Sequence, residues 1–456
     1  MALPFVLVLA AFIYLKPQEV FPVLRAVPLL YLLFGLAVIG VLFDIARGAA
    51  SSRLPAQAPY VLGFGAWSFM DILIRDVASV SRWIATIGVG IGIYFATALA
   101  AGTVEGVRKF SNLLLVLAVI LGFVGAHQAL QPFTCFEVDY EAGGLDDPFY
   151  YGGECETWRD CMEQAQSDSE DWVCEKAGLL GTSSVAKGRV RYRGSLADPN
   201  ELALVVGSAL PFGFAIRERK RSTVRALFLF AILGLAGWAI IKTESRGGQL
   251  VFATVMGLYF IRRLRIWGAI VGCIVALPVV LLGGRSGASA DASALQRVEA
   301  WYEAIDMVKL WPVLGVGPGL FTEYHYLTAH NAYLLVVAET GLIGFFIWSL
   351  SIYATTKIPA QLWWTRDERL GPVLSSISAA LLVSLAGLYL GIFFLSFGYH
   401  HVLYLFMGLS GALGLAAARK IPELEIKVSA REMLYIAGGC VAFLVLMFVY
   451  TRLKLG

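Results

Sequence analysis

The chain alternates between long apolar blocks and short polar ones. Thirteen blocks meet or approach the roughly 20 apolar residues that a helix needs to cross a bilayer. They are 2–15, 26–43, 59–74, 84–101 and 110–130, then 200–216, 226–241, 245–261 and 266–282, and finally 332–353, 371–395, 402–418 and 433–450. Within each block the apolar residues run together and do not follow a one-sided stripe. Such helices face lipid or one another all round, with their backbone polar groups satisfied internally. The block 2–15 is short, and with 433–450 last in the series the pattern predicts 12 or 13 spanning helices. Two long polar stretches, about 131–199 and 283–331, interrupt the series. They divide the chain into N-terminal helices (1–130), a first loop (131–199), central helices (200–282), a second loop (283–331) and C-terminal helices (332–456). The expected fold class is an all-α polytopic membrane protein with two long extracytoplasmic loops.

Composition agrees and removes the soluble alternative. Apolar residues make up 58% of the 456 and charged residues only 15%, against about 25% charge in a soluble domain. Mean hydropathy is +0.72. The first block has no basic flank before it and no small-residue cleavage site after it, so it reads as a retained helix and not as a signal peptide. The net charge of +3 says little about partners; its sidedness says more. With the N terminus inside, the inner loops hold more than twice the Lys and Arg of the short outer segments, including the run Arg217, Arg219, Lys220, Arg221 and Arg225. That bias orients the chain and puts both long loops outside.

The first outer loop carries Cys135, Cys155, Cys161 and Cys174 in one acidic, aromatic-bearing stretch. An even cluster outside the membrane reads as two disulfides of undetermined pairing. A zinc site fits poorly, because the stretch has no CxxC pair and no His. Cys273 and Cys440 fall inside apolar blocks and read as packing residues. After the acidic stretch the sign flips. Lys187, Arg189, Arg191 and Arg193 alternate just before Asp198-Pro199-Asn200 opens the next helix, which in an extended chain puts them on one face. In the second loop Leu295, Val298, Trp301, Ile305 and Val308 recur at helical spacing, predicting an interfacial helix over 292–311 that Pro312 ends. The glycine run Gly315–Gly319 is a turn and not a dinucleotide fingerprint, since no strand–turn–helix unit surrounds it. There is no Walker A motif and no internal repeat, and nothing points to nucleic acid.

Three polar constellations fall on the outer face, where polar groups are costly. The first is Thr243-Glu244-Ser245-Arg246-Gly247-Gly248. Ser245 is a natural N-cap, Gly247 and Gly248 leave backbone N–H groups uncovered, and Arg246 adds a guanidinium, which together suit a phosphate. A plain cap with a snorkelling Arg is the competing reading. The second is His330-Asn331 before the helix that starts at Ala332. It is a candidate general base near neutral pH, or else a capping residue. Glu339 lies nine residues on and faces the opposite side of that helix, so it is expected to pair with a neighbouring helix. The third is the Arg191 and Arg193 segment.

These blocks, taken in order, resemble the O-antigen ligase and O-antigen polymerase family of bacterial envelope glycosyltransferases. The matching residues are Arg193-Gly194 through Asp198-Pro199-Asn200, Thr243 through Gly248, Gly315 through Phe321, His330-Asn331 with Tyr333-Leu334, and Glu339 with Gly341 and Gly344; Lys16-Pro17-Gln18-Glu19 also fits. The resemblance implies a glycan transfer at the outer face of the bacterial inner membrane, independent of metal and needing no cofactor. The donor it implies is a glycan on undecaprenyl pyrophosphate, and the acceptor a hydroxyl on lipid A-core, glycan or protein. His330 would take the acceptor proton, while Arg193 (or Arg191) and Arg246 would hold the pyrophosphate and the charge developing on it. Ser245, Gly247, Gly248 and Asn331 would support that binding. The Cys-rich acidic insert departs from the typical ligase pattern and leaves the acceptor open. A polymerase of the same family is the near alternative. A transporter or flippase is the distant one; it predicts paired mid-membrane ionisable residues, where Asp71 and Glu339 are the only obvious buried acids, and similarity between halves, where there is no repeat.

Overall fold

The computed structural model describes all residues except 51–52, 138–153, 156–171, 186–187, 194–195, 220–221, 283, 285–287, 366 and 456. Every apolar block predicted above is helical. In chain order the helices are α1 (Ala2–Leu15), α2 (Leu29–Ala46), α3 (Ala58–Arg75), α4 (Val77–Ala100), α5 (Val104–Leu130), α6 (Pro199–Glu218) and α7 (Thr223–Thr243). There follow α8 (Arg246–Leu264), α9 (Ile266–Leu282), α10 (Ala288–Leu310), α11 (Ala332–Thr365), α12 (Gly371–Ile392), α13 (His401–Ala418) and α14 (Ala430–Leu455). Among the described residues, nine helices are long and apolar enough to cross a membrane, and α1 and α9 are shorter apolar helices. The protein is therefore an all-α polytopic membrane protein. The two blocks outside that set, α3 and α8, carry polar groups: Asp71 and Arg75 in one, and Arg246, Gln249, Arg262 and Arg263 in the other.

Helix starts follow local chemistry. Thr103 caps α5 through its hydroxyl, which accepts from Gly106 N–H at 3.0 Å. Asp198 caps α6 ahead of Pro199, accepting from Asn200 N–H at 2.7 Å. The large side chains Tyr94, Phe110, Phe212 and Phe406 are fully buried on α4, α5, α6 and α13, with Phe212 stacked on Phe406. By contrast Ile39, Leu42, Ile274, Leu281 and Leu446 are exposed on α2, α9 and α14, the face a bilayer would cover. Cys273 is exposed on α9 and does not pack, whereas Cys440 on α14 donates to Ser349 Oγ at 3.4 Å.

The first outer loop adds an element the apolar pattern did not predict. Strands β1 (Phe133–Glu137), β2 (Glu154–Cys155) and β3 (Trp172–Lys176) form a small antiparallel sheet in the order β2-β1-β3. Its register sets Cys155 opposite Phe133 and Cys174 opposite Cys135 along the backbone. Cys161, Lys187 and the side chains of Cys135, Cys155 and Cys174 lie outside the described residues, and with them the disulfide expectation.

The second loop is built into α11. That helix breaks at Gly341, whose φ of 67° only glycine adopts readily. A Cβ there would stand 2.0 Å from the Val313 carbonyl oxygen. The opened backbone takes up the glycine turn: Val316 N–H donates to Ala338 O at 2.8 Å, Gly317 N–H to Glu339 O at 2.9 Å and Leu342 N–H to Pro312 O at 2.8 Å. Irregular backbone beside spanning helices is tolerated because it is satisfied in this way. The Glu339 side chain joins in, accepting from Phe321 N–H at 3.1 Å. Its partner is thus the turn and not a neighbouring helix. Asp71 is fully buried, with Arg75 Nε 3.8 Å from its carboxylate.

Candidate active site

At one end of the bundle a cavity of about 370 Å³ opens between the start of α6, helix α10 and the residues before α11. Into it face His330, Arg189, Arg297, Asp198, Asn200 and Ser293, among others. Both long loops therefore meet in one place.

His330 is held under strain. Its φ of 46° is a left-handed conformation that a non-glycine residue adopts at a cost of about 1–3 kcal/mol. The surroundings over-determine it: His330 N–H donates to Ser396 Oγ at 2.9 Å, and the same hydroxyl lies 2.8 Å from Thr328 Oγ1. The carbonyl of Ala329 accepts from Trp301 Nε1 of α10 at 2.9 Å. Asn331 then caps α11, its Oδ1 accepting from the N–H groups of Tyr333 and Leu334 at 3.0 and 3.1 Å. A loop residue whose backbone is pinned from three sides is thereby held at the cavity wall.

The electrostatics favour neutral imidazole. Burial pushes the His330 pKa below its ordinary 6.5, the Arg297 guanidinium pushes it further the same way, and Asp198 opposes them. A neutral ring at neutral pH can accept a proton. Beside it, Arg189, Arg297 and Ser293 line the same cavity, cationic and hydroxyl groups of the kind that bind an oxyanion. The arrangement can deprotonate a hydroxyl and hold a leaving phosphate.

Of the residues singled out from sequence, His330 lines this cavity. The alternating arginines keep their period, with Val190 and Tyr192 buried between them, but each goes to a different partner. Arg189 Nε donates to the Thr243 carbonyl at 3.0 Å and the residue also lines the cavity. Arg191 donates to Ser183 O at 3.0 Å and pairs with Glu175 at 3.1 Å. Arg193 donates to the Glu19 carbonyl at 2.6 Å, and Tyr192 to the Leu15 carbonyl at 2.9 Å, so the segment after α1 is fastened to this loop. Ser245 caps α8, accepting from Gly248 N–H at 3.0 Å. A Cβ on Gly248 would stand 2.2 Å from Ala203 Cβ, and one on Gly247 would touch Phe394; the pair lets α8 start close against its neighbours. Arg246 is exposed at the first position of α8, its stem beside Gly284.

Sequence reasoning missed Arg297, Ser293 and Ser396. Arg297 sits next to Val298 of the apolar stripe in α10, and a cation bordering the stripe of an interfacial helix was the available signal. Ser396 follows α12 and had none.

Residues 229–349 match the family model described as O-antigen ligase. The matched segment contains Arg246, Arg297, the glycine turn and His330, and it stops short of Arg189, Arg191 and Arg193. No curated protein matches the chain. The chain is thus a multi-pass membrane protein whose residues 229–349 form a region similar to the O-antigen ligase domain, set in a bundle of membrane-length helices.

Proposed function

We propose that the protein transfers a glycan from undecaprenyl pyrophosphate to an acceptor hydroxyl, at the periplasmic face of the bacterial inner membrane. The observation that carries this reading is the cavity in which His330 faces Arg297 and Arg189. Neutral His330 accepts the proton of the acceptor hydroxyl as its oxygen attacks the anomeric carbon. The bond from that carbon to the pyrophosphate oxygen breaks, and the electron pair leaves with the phosphate. Arg297 and Arg189 meet the growing negative charge; Arg246, which is not among the residues lining that cavity, enters as a phosphate contact on the family resemblance. One donor placed on such a charge contributes about 2.7–4 kcal/mol to the barrier in a comparable case. Attack opposite the leaving group inverts the anomeric centre. Arg191 and Arg193 enter as phosphate contacts on the family resemblance, and their bonds to Glu175 and Glu19 give them a second role in shaping the loop.

The Cys-rich insert leaves the acceptor open among lipid A-core, glycan and protein. The test is transfer in vitro from a radiolabelled lipid-linked donor, with the label traced to each acceptor class. His330→Ala is expected to abolish transfer while the protein still inserts and folds. Full transfer by that variant sinks the mechanism, and label that only lengthens the donor's own glycan assigns the polymerase reaction instead.

A further inference from the structure

At the end of the bundle away from His330, the tips of α6 and α8 and the first turn of α12 enclose a second cavity, of about 250 Å³. Arg217, Arg262 and Arg263 line it against one carboxylate, Glu218. Arg262 is committed to that carboxylate through two bonds of 3.1 and 3.3 Å. The positive excess therefore rests on Arg217 and Arg263, which lie with the other two charges within electrostatic reach of the Tyr259 hydroxyl. Tyr259 is itself stacked on Phe214 at 3.6 Å between ring centroids, which joins α8 to α6.

The third wall adds to the positive field. Helix α12 begins with Gly371-Pro372, and no side chain caps its first turn. The positive end of its dipole therefore lies at the cavity wall. Ser375, on that first turn, also lines the cavity. An adjoining space of about 540 Å³ shares Arg262, Pro372 and Ser375 and continues to Trp363. The acidic Asp367 and Glu368 line this outer part, where Asp367 is held by the Arg369 guanidinium at 2.8 Å. Exposed Trp267 and Trp364 stand at the same end of the bundle, a composition that marks headgroup depth.

We propose that the Arg217/Arg263 cavity is a binding site for a phosphate-bearing anion, supplied by the headgroup of an anionic phospholipid in the leaflet at the end of the bundle away from His330. Basic pockets between spanning helices hold such headgroups, and guanidinium forks suit phosphate oxygens. The inference stands apart from the glycan-transfer reading, because none of these residues belongs to the His330 cavity.

The experiment is native mass spectrometry of the full chain purified in detergent, titrated with phosphatidylglycerol and separately with inorganic phosphate. Wild type is compared with Arg217→Gln/Arg263→Gln and with the charge-keeping Arg217→Lys/Arg263→Lys. Wild type and the Lys pair should retain a saturable phosphatidylglycerol, while the Gln pair should bind it about tenfold more weakly or worse, the loss expected for about 1.4 kcal/mol of contact energy. If the Gln pair does not fold, the two single Gln variants must each weaken binding for the site to stand. Binding of inorganic phosphate without the lipid, lost in the Gln pair, supports the anion site and makes a soluble phosphate its occupant. Equal retention of both ligands by wild type and the Gln variants overturns the proposal.

Discussion

Replacing Arg297 with Gln separates its two effects on the reaction. Gln keeps much of the side-chain length but removes the charge. A hydrogen bond from a charged group contributes about 1.5–3 kcal/mol, so losing it at the leaving phosphate lowers kcat/KM roughly 10- to 150-fold. The second effect is on His330. Its pKa sits below 6.5 through burial first and Arg297 next, with Asp198 pulling the other way. In wild type the base form therefore persists to lower pH than for a free imidazole, and activity falls as pH drops through the lowered value. Without Arg297 one depressing influence is gone while Asp198 remains, so the pKa rises and the acid limb of the profile moves to higher pH. Asp198→Asn should move it to lower pH. Asn caps a helix about as well as Asp, so α6 keeps its start. The assay is kcat/KM for glycan transfer between about pH 5 and 8, which reports the free enzyme's ionisations. Three profiles with the same acid limb would refute the assignment of His330 as the titrating base, whatever the drop in rate.

Other outcomes follow from the same geometry. Ser396→Ala removes the hydroxyl that holds the His330 N–H and Thr328; it should cost about 1–3 kcal/mol in thermal unfolding and slow transfer, with substrate binding little changed. Gly315→Ala should destabilise the protein by at least about 1–3 kcal/mol, because φ is 74° there and a Cβ would stand 2.4 Å from Glu339 backbone carbon; unchanged melting would refute the packing described for the turn. Arg246→Ala should lower transfer, and Arg193→Ala should lower both transfer and the melting temperature, since Arg193 fastens the segment after α1. The anomeric configuration of the product, read by NMR, should be the inverse of the donor's; retention would exclude direct attack by the acceptor.

Much of the architecture was legible in the chain because lipid imposes a simple rule. A backbone that cannot bond to water must be helical, so each apolar block became a helix, and the cap residues Asp198, Ser245 and Asn331 started them as local chemistry requires. The amphipathic α10 was readable from its stripe for the same reason. His330 stood out as a titratable group where burial is costly, and it does line the cavity. The neighbours of His330 were not legible. Arg191 and Arg193 looked equivalent to Arg189 in an alternating run, yet the carboxylate of Glu175 and the carbonyl of Glu19 claim the first two, and only Arg189 faces the cavity.

The sequence by itself determined the class of protein, the helix positions, the candidate base and the resemblance to glycan-transferring enzymes, all from properties that short segments carry alone. Only the tertiary structure decided which cations meet that base. Arg297 lies 33 residues from His330 along the chain and Asp198 far earlier, and their meeting depends on α10 folding back over the start of α6. It likewise decided that Glu339 serves a glycine turn and that Ser396 pins a strained histidine. Those contacts join residues remote in sequence, where the energy belongs to the packed pair and neither partner alone signals it.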